Sequence, residues 1–142
     1  MGTPALKLAA VTAIVAFPAA ALGATLTYKG DGTYDPRAKI ELVVAKHDGK
    51  RTVKRITAKK LRYSNGEANC TDSGRTRELT IRGSFRVKRN RFFRARDQIR
   101  SGLGELAVTG GFNHGHIEGI MRFIFGKDGC KTERTHYVAR PD

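Results

Sequence analysis

The chain has 142 residues, with 27 lysines and arginines against 13 aspartates and glutamates, and its formal net charge is +14. This length allows one domain with a modest hydrophobic core and excludes an architecture that joins a nucleotide-binding domain to a catalytic domain. The excess of positive charge favours anionic partners.

The N-terminal segment has the layout of a secretory signal. Lys7 precedes the uncharged apolar run Leu8–Phe17, and a proline and several small residues follow it. The apolar stretch lies at the lower limit of the roughly 17–25 residues that a membrane-spanning helix needs, and it is rich in alanine. We therefore expect a cleavable signal helix over residues 1–24, cut between 21 and 24, and a secreted domain over residues 25–142.

The two cysteines, Cys70 and Cys130, predict one intramolecular disulfide, because a secreted chain leaves the reducing cytosol. Closing a loop of about sixty residues would remove denatured-state entropy worth roughly 4 kcal/mol. A zinc site is disfavoured because the two cysteines lack the paired CxxC spacing of such sites.

The mature sequence predicts strands and almost no helix. Apolar residues recur with period two in short runs, and glycine, asparagine and aspartate separate these runs. The run Ile40–Val44 alternates, and the Asp48-Gly49 pair that follows is typical of a tight hairpin turn. Between Val53 and Tyr63 the alternation breaks, since Ile56 is out of phase with Leu61, and this predicts a β-bulge between those two residues.

The segment from Leu79 to Arg96 predicts a hairpin whose register follows from the arginines. A two-residue turn would bury two of them, whereas a three-residue turn over Arg89–Arg91 pairs Val87 with Phe93 and Phe85 with Ala95, all facing inward. We predict the three-residue turn. It places the following residues on the outer face: Arg86, Lys88, Phe92, Arg94 and Arg96.

Three further strands complete the predicted fold. Leu106 and Val108 open a strand that turns near residues 112–115, and a one-sided apolar row from Ile117 to Phe125 then predicts a central strand. A last strand runs over about 132–139. The prediction is an all-β fold, a single antiparallel meander domain of about eight strands, arranged as a flattened barrel or a sandwich.

The positive charge is concentrated in two segments. Residues 46–62 contain eight basic residues and one acidic residue, and residues 75–100 contain ten basic and two acidic residues, whereas 25–45 and 101–142 are each neutral. If the two segments are neighbours in the sheet, one face would attract polyanions at long range. The alternative is a general bias toward arginine that keeps the domain soluble. The predicted polyanion-binding face consists of Lys54, Arg55, Lys59, Lys60, Arg86, Lys88, Phe92, Arg94 and Arg96.

The partners that fit such a face are phosphate-rich wall polymers, anionic membrane surfaces, acidic polysaccharides and free nucleic acid. No specific nucleic acid is predicted, although Phe92 lies among basic residues in a way that single-strand binding sites use. The run from Arg82 to Val87 is similar to an RNA-recognition signature, but Ser84 stands where an aromatic residue is required. We expect a monomer.

The sequence offers no catalytic constellation, and we predict that the protein is not an enzyme. His114-Gly115-His116 together with His136 has metal-ligating residue types, but histidines in turns are typically solvated, and no metal or cofactor is predicted. Glu105 and Glu118 would suit glycoside hydrolysis only at the right separation.

The alternative function is a carrier of a small hydrophobic ligand in the barrel interior, because an eight-stranded barrel can hold one small ligand. A secreted hydrolase is the least favoured hypothesis. The interior of such a carrier would be lined by Phe85, Phe93, Met121, Phe123 and Tyr137.

Several short motifs follow one another along the chain: Tyr28-Lys29-Gly30, Cys70, Gly83-Ser84-Phe85, Phe92-Phe93, Val108-Thr109-Gly110-Gly111-Phe112, Ile117-Glu118-Gly119, Cys130 and Tyr137-Val138-Ala139-Arg140. This order resembles that of the small exported one-disulfide β-proteins common in actinobacterial and other high-GC bacterial genomes. The resemblance implies export and an all-β fold, and it carries over no functional residues. This chain departs from the group in being more basic and in having the histidine turn at residues 114–116.

Overall fold

The computed structural model describes residues 23–100 and 102–142, and residues 1–22, which hold most of the predicted signal helix, lie outside the described residues. The described residues form ten strands and no helix, and none of their segments is a helix long and apolar enough to cross a membrane. The strands are β1 (Ala24–Gly32), β2 (Lys39–His47), β3 (Lys50–Lys59), β4 (Arg62–Tyr63), β5 (Gly74–Arg75), β6 (Leu79–Arg86), β7 (Phe92–Gln98), β8 (Gly104–Asn113), β9 (His116–Phe125) and β10 (Thr135–Pro141).

Eight of these strands form one antiparallel sheet in the order β6-β3-β2-β1-β10-β9-β8-β7, and β4 pairs with β5 in a separate ribbon. The sheet curls into a nearly closed barrel. The first strand of the chain, β1, pairs with the last, β10, as in Gly30 opposite Ala139, so that only β6 and β7 remain as edges. The predicted all-β antiparallel meander is confirmed. Of the two predicted arrangements, a flattened barrel and a sandwich, the structure shows the barrel-like one.

Tight turns define one end of this barrel. Asp48 and Gly49 have φ angles of 53° and 77°, and His114 and Gly115 have φ angles of 48° and 83°. Two consecutive positive φ values belong to the two-residue turns that match the twist of antiparallel strands, which confirms the predicted turn at residues 48–49. We call the end formed by these two turns and by residues 89–91 the open end.

The barrel has a seam between β6 and β7, which are the two edges of the sheet. The Lys88 N–H donates to the Phe92 carbonyl at 2.9 Å, and the Arg91 N–H donates to the Lys88 carbonyl at 2.8 Å. These bonds confirm the three-residue turn over 89–91. Within the described residues, β6 and β7 are not paired beyond this turn.

The predicted pairs of Val87 with Phe93 and of Phe85 with Ala95 are therefore wrong. Each strand of the hairpin instead continues the ladder with its other neighbour. Phe85 pairs with Val53 of β3, and Ala95 pairs with Val108 of β8. The inward orientation was still predicted correctly, because Phe93 and Ala95 are buried.

The break in alternation along β3 has two causes. The pairing of β3 with β6 shifts register between Val53 and Arg55, so that Val53 and Ile56 both face the core. Lys60 then adopts a φ of 61°, in the left-handed region, and the chain leaves the sheet before the buried Leu61. The predicted bulge between Ile56 and Leu61 is misplaced, because the bulge lies earlier and a change of backbone direction ends the strand.

The barrel interior is filled by alternating side chains of its own wall. The buried row of β9 packs against the inward residues of β8 and β10, and the Tyr137 hydroxyl inside the barrel donates to the Thr109 carbonyl at 2.9 Å. Burial raises the pKa of Tyr137. Gly119 faces Gly110 where the strands approach closely, and a Cβ on Gly119 would lie 1.8 Å from the Thr109 oxygen. This position therefore requires glycine.

The opposite end, which we call the disulfide end, is closed by the connections 33–38, 60–78 and 126–134. Leu61 is fully buried there, and its N–H donates to the Thr76 hydroxyl at 3.1 Å. The disulfide between Cys70 and Cys130 joins two of these connections, with the Cα atoms 4.5 Å apart. The predicted disulfide is confirmed.

Candidate functional site: a basic cleft at the open end

The two basic segments of the sequence are neighbours in the sheet. Strand β3 pairs with β6, so that Thr52 lies opposite Arg86 and Arg55 lies opposite Arg82. Strand β7, which carries the rest of the second segment, lies across the seam from β6. The excess positive charge is therefore gathered in one sector of the barrel wall.

The nine residues of the predicted polyanion-binding face do not form one patch. Lys54, Arg86 and Lys88 lie at the open end and line the same cleft. Lys59 and Lys60 lie at the other end of β3, next to the disulfide end. Lys54 and Lys59 are five residues apart on β3, which at about 3.3 Å per residue is roughly 17 Å, so the two groups lie apart on the barrel wall.

The remaining members of the predicted face lie on the outer wall, and two of them are ion-paired. An Arg55 terminal nitrogen is 3.2 Å from a Glu41 carboxylate oxygen. The Arg96 Nε is 2.6 Å from a Glu105 carboxylate oxygen. Arg94 is exposed on the same side of β7 as Arg96.

Phe92 is 56% exposed on the outside of β7. Its ring covers Gly111 of the neighbouring strand, where an added Cβ would lie 2.9 Å from the Phe92 Cε1. Phe92 is absent from the lining of the cleft at the open end. It is thus a surface ring packed on a glycine, apart from the main concentration of charge.

The main concavity of the basic sector is a cleft of about 1140 Å³ at the open end. The β2–β3 hairpin forms one side, the β6–β7 turn forms another, and the β8–β9 turn completes the rim. We call it the basic cleft. Among the described residues no carboxylate lines it, and eight cationic side chains do, namely Lys46, Lys50, Arg51, Lys54, Arg86, Lys88, Arg89 and Arg91.

None of these eight cations forms an ion pair within the described residues, whereas cations elsewhere on the barrel do. Lys39 is 2.9 Å from Asp31, and Arg75 is 2.8 Å from Asp35. In the cleft, Lys54 donates a neutral hydrogen bond to the Ser84 hydroxyl at 3.1 Å. Like charges held close together without counter-charges create a strong positive potential, which is the electrostatic signature of an anion site.

The floor of the basic cleft is aromatic. Phe112 and Tyr28 are buried there, with ring centroids 5.8 Å apart in an edge-to-face arrangement. The Arg51 guanidinium carbon lies 4.6 Å from the centroid of the Phe112 ring. This cation–π contact holds the guanidinium over the aromatic floor of the cleft.

Two histidines, His47 and His114, also line the basic cleft. The His47 Nε2 is 3.2 Å from a carboxylate oxygen of Asp48. His116 lies beside Glu118 at 3.0 Å, and His136 lies opposite Ile120, far along β9 from the turn. Within residues 23–100 and 102–142 no three metal-ligating side chains come together.

Glu105 and Glu118 are not arranged as a glycosidase pair. Glu118 lies opposite Gly111, which is six residues along β8 from Glu105. At about 3.3 Å per residue the separation is roughly 20 Å, well beyond the 5–9.5 Å that such chemistry needs. Glu105 is also bonded to Arg96.

Five of the eight cleft cations were not among the predicted face residues: Lys46, Lys50, Arg51, Arg89 and Arg91. All five flank the tight turns of the open end. The signal for them in the sequence was a clustering of lysine and arginine around the Asp48-Gly49 turn and the 89–91 turn. The two hairpins meet in space only because β3 pairs with β6.

No protein-family model, curated protein or solved structure matches the chain. The function is therefore inferred from the residues of the basic cleft and of the barrel wall.

Proposed function

We propose that this protein is a non-catalytic exported domain that binds anionic envelope or extracellular polymers through the basic cleft. The observation that carries the proposal is the cleft lining, in which eight cations and no carboxylate of the described residues surround one concavity. A multiply charged polymer would supply the missing counter-charges. Long-range attraction by such a cluster also accelerates the capture of a polyanion.

Two features support export. The cysteines are joined, as is typical of proteins that fold in oxidising compartments outside the cytosol. The segment that precedes the barrel has the composition of a secretory signal. An anionic surface or polymer of the envelope is then the most abundant counter-charge within reach.

The packing of the barrel favours polyanion binding over the carriage of a hydrophobic ligand. Four of the five side chains that would line a carrier cavity are at most 2% exposed, and they pack against one another and against the wall: Phe93, Met121, Phe123 and Tyr137. The fifth, Phe85, is half-buried beside them. The interior is therefore occupied by the protein itself.

The monomer is the state that the seam favours. Strands β6 and β7 are exposed edges, and exposed edges normally invite pairing with a second copy. Both carry outward arginines, such as Arg82 and Arg94, and these would repel a second copy. Charged side chains on edge strands are a common protection against such pairing.

The test compares two charge reversals that change the net charge equally. Lys50→Glu with Arg89→Glu alters the basic cleft, and Lys127→Glu with Arg134→Glu alters exposed residues near the disulfide end. On heparin resin and on anionic vesicles we expect the wild-type protein to elute only at high salt, because added salt screens the attraction between exposed charges and shortens the Debye length from its physiological value of about 8 Å. The cleft variant should elute much earlier than the control variant. Equal elution of the two variants, or salt-independent retention, contradicts the proposal.

A further inference from the structure

We infer that the basic cleft is a defined site for a linear phosphate chain without bases, with Arg51 as its anchoring donor. This inference rests on the proposed function and names its ligand class. The inferred binding site is specific to the cleft, in contrast to a diffuse positive potential over the whole basic sector. Three features of the cleft support it: the charge density, the position of Arg51, and the aromatic rings.

The charge density of the cleft calls for several negative charges close together. A cleft of about 1140 Å³ is roughly 10 Å across, which is about one Debye length at ordinary ionic strength, so its cations act as one cluster. A chain of phosphates carries at least one negative charge on each repeating group, and a terminal phosphate approaches two. Sparse carboxylates on a polysaccharide would leave most of the eight cations unpaired.

Arg51 is the cleft arginine that is held in place before any ligand arrives. It is half-buried, and its guanidinium lies over Phe112, whose ring is itself fixed by contacts with Tyr28 and Phe93. A fixed guanidinium presents parallel N–H donors to two phosphate oxygens at little cost in side-chain entropy. The lysines around it, such as Lys50 and Lys88, are exposed and act as mobile point charges.

The aromatic rings of the cleft argue against nucleic acid. Binding of single strands relies on exposed rings on which bases stack. Tyr28 and Phe112 are only 6% and 7% exposed, and Arg51 already covers one face of Phe112. The exposed ring in this sector, Phe92, lies outside the cleft. A phosphate chain without bases accepts hydrogen bonds from cationic side chains and needs no stacking surface.

The test measures binding of the disulfide-bonded protein by calorimetry with short-chain inorganic polyphosphate as the probe. A single-stranded oligonucleotide with the same number of phosphates and polygalacturonate are the competing probes. We expect saturable one-to-one binding of polyphosphate, at least tenfold tighter than either competitor. Equal or tighter binding of the oligonucleotide would overturn the choice of a chain without bases, and equal binding of polygalacturonate would overturn the choice of phosphate.

Matched substitutions locate the site. Arg51→Gln should weaken polyphosphate binding roughly tenfold or more, because a charge-assisted fork is lost. Arg94→Gln removes the same charge from the outer wall and should weaken binding about twofold or less. Arg51→Lys keeps the charge but loses the fork and the stacking on Phe112, and we expect a loss of roughly fivefold. Arg89→Gln, in an exposed turn, gives a second cleft variant if substitution of Arg51 impairs folding.

The outcomes separate the two proposals. If polyphosphate binds but Arg51→Gln and Arg94→Gln weaken it equally, the charge acts as a diffuse field and the anchored site is wrong, while the proposed function stands. If Arg51→Lys binds as tightly as the wild type, the role of the guanidinium fork is wrong. If the wild-type protein binds neither polyphosphate nor heparin, the proposed function itself fails.

Discussion

The two ends of the barrel differ in the length of the connections between their strands and in the pairing of their charges. At the disulfide end, long connections fold across the opening, bury Leu61 and are joined by the bond between Cys70 and Cys130. Two of its arginines form ion pairs, Arg75 with Asp35 and Arg62 with Glu133. At the open end, three tight turns leave a cleft in which eight cations have no acidic partner among the described residues.

The difference separates the end of the barrel that stabilises the fold from the end for which we propose a function. The disulfide end contributes burial, hydrogen bonds and a covalent link, all of which favour the folded state. The open end gathers like charges, which repel one another and reduce stability. A surface that lowers stability in this way is typical of a binding site, because selection for stability alone would remove it.

The largest expected effect comes from removing the disulfide. Replacing Cys70 and Cys130 together by alanine should lower the free energy of unfolding by about 2–5 kcal/mol, because the denatured chain gains freedom when the long loop is opened. Denaturation in guanidinium measures this change. At low denaturant, where the variant is still folded, its retention on heparin should match that of the wild type. A loss of retention by the folded variant would show that the two ends are not independent.

A similar but smaller loss is expected from Leu61→Ala. The side chain is fully buried under the disulfide end, so its truncation leaves a cavity that costs about 2–4 kcal/mol. Arg51→Ala, at the open end, should cost less than about 1 kcal/mol, since one cation–π contact with Phe112 at the mouth of the barrel is lost. Thermal denaturation of both variants measures the contrast. A larger loss for Arg51→Ala would reverse the assignment of stability to the disulfide end.

Acid should act on the disulfide end through Asp35. The hydrogen bond from Arg75 holds the pKa of the Asp35 carboxyl below its ordinary value of 3.8. Folding therefore favours the ionised form, so the stabilisation is complete above pH 3.8 and is lost as the pH falls through the lower folded pKa. We expect roughly 1 kcal/mol from this pair. Asp35→Asn should be less stable at neutral pH and should lose less stability on acidification, and an unchanged pH profile would contradict this role.

The smallest expected effect is a gain in stability at the open end. Lys50→Gln removes one of the mutually repelling charges of the basic cleft and should raise the free energy of unfolding by about 0.5 kcal/mol or less at low salt. The gain should shrink at high salt, where the repulsion is screened. Lys127→Gln, which lies next to Asp128 near the disulfide end, serves as the control and should give no gain. A gain in stability for Lys127→Gln alone would place the charge repulsion at the disulfide end and would contradict this prediction.

Much of the fold could be predicted from local patterns. Alternation predicted the β2, β8 and β9 strands because a wall with one buried face requires period two. The Asp48-Gly49 turn followed from the φ angles that this pair tolerates, and the disulfide followed from there being two cysteines. The predicted position of the bulge in β3 was wrong, because Lys60 in the left-handed conformation interrupts the alternation of apolar residues in the same way as an extra residue does.

The candidate site was predicted in part. Local sequence identified the two segments that hold the positive charge, and three of the nine predicted residues line the basic cleft: Lys54, Arg86 and Lys88. Strand periodicity placed Arg96 on the predicted face, and the concentration of charge in residues 46–62 placed Arg55 there. Neither signal says which acids stand opposite, and Glu41 and Glu105 reach these two arginines from neighbouring strands.

The sequence by itself determined the all-β class, the disulfide and the two basic segments, because each of these depends on residue types and on short spacings. The tertiary structure decided that the sheet closes through β1 and β10, that the hairpin arms at the seam separate, and that Arg51 lies on Phe112. Residues 51 and 112 are sixty-one positions apart. Their contact arises from the curvature of a barrel, which depends on how all eight strands pair.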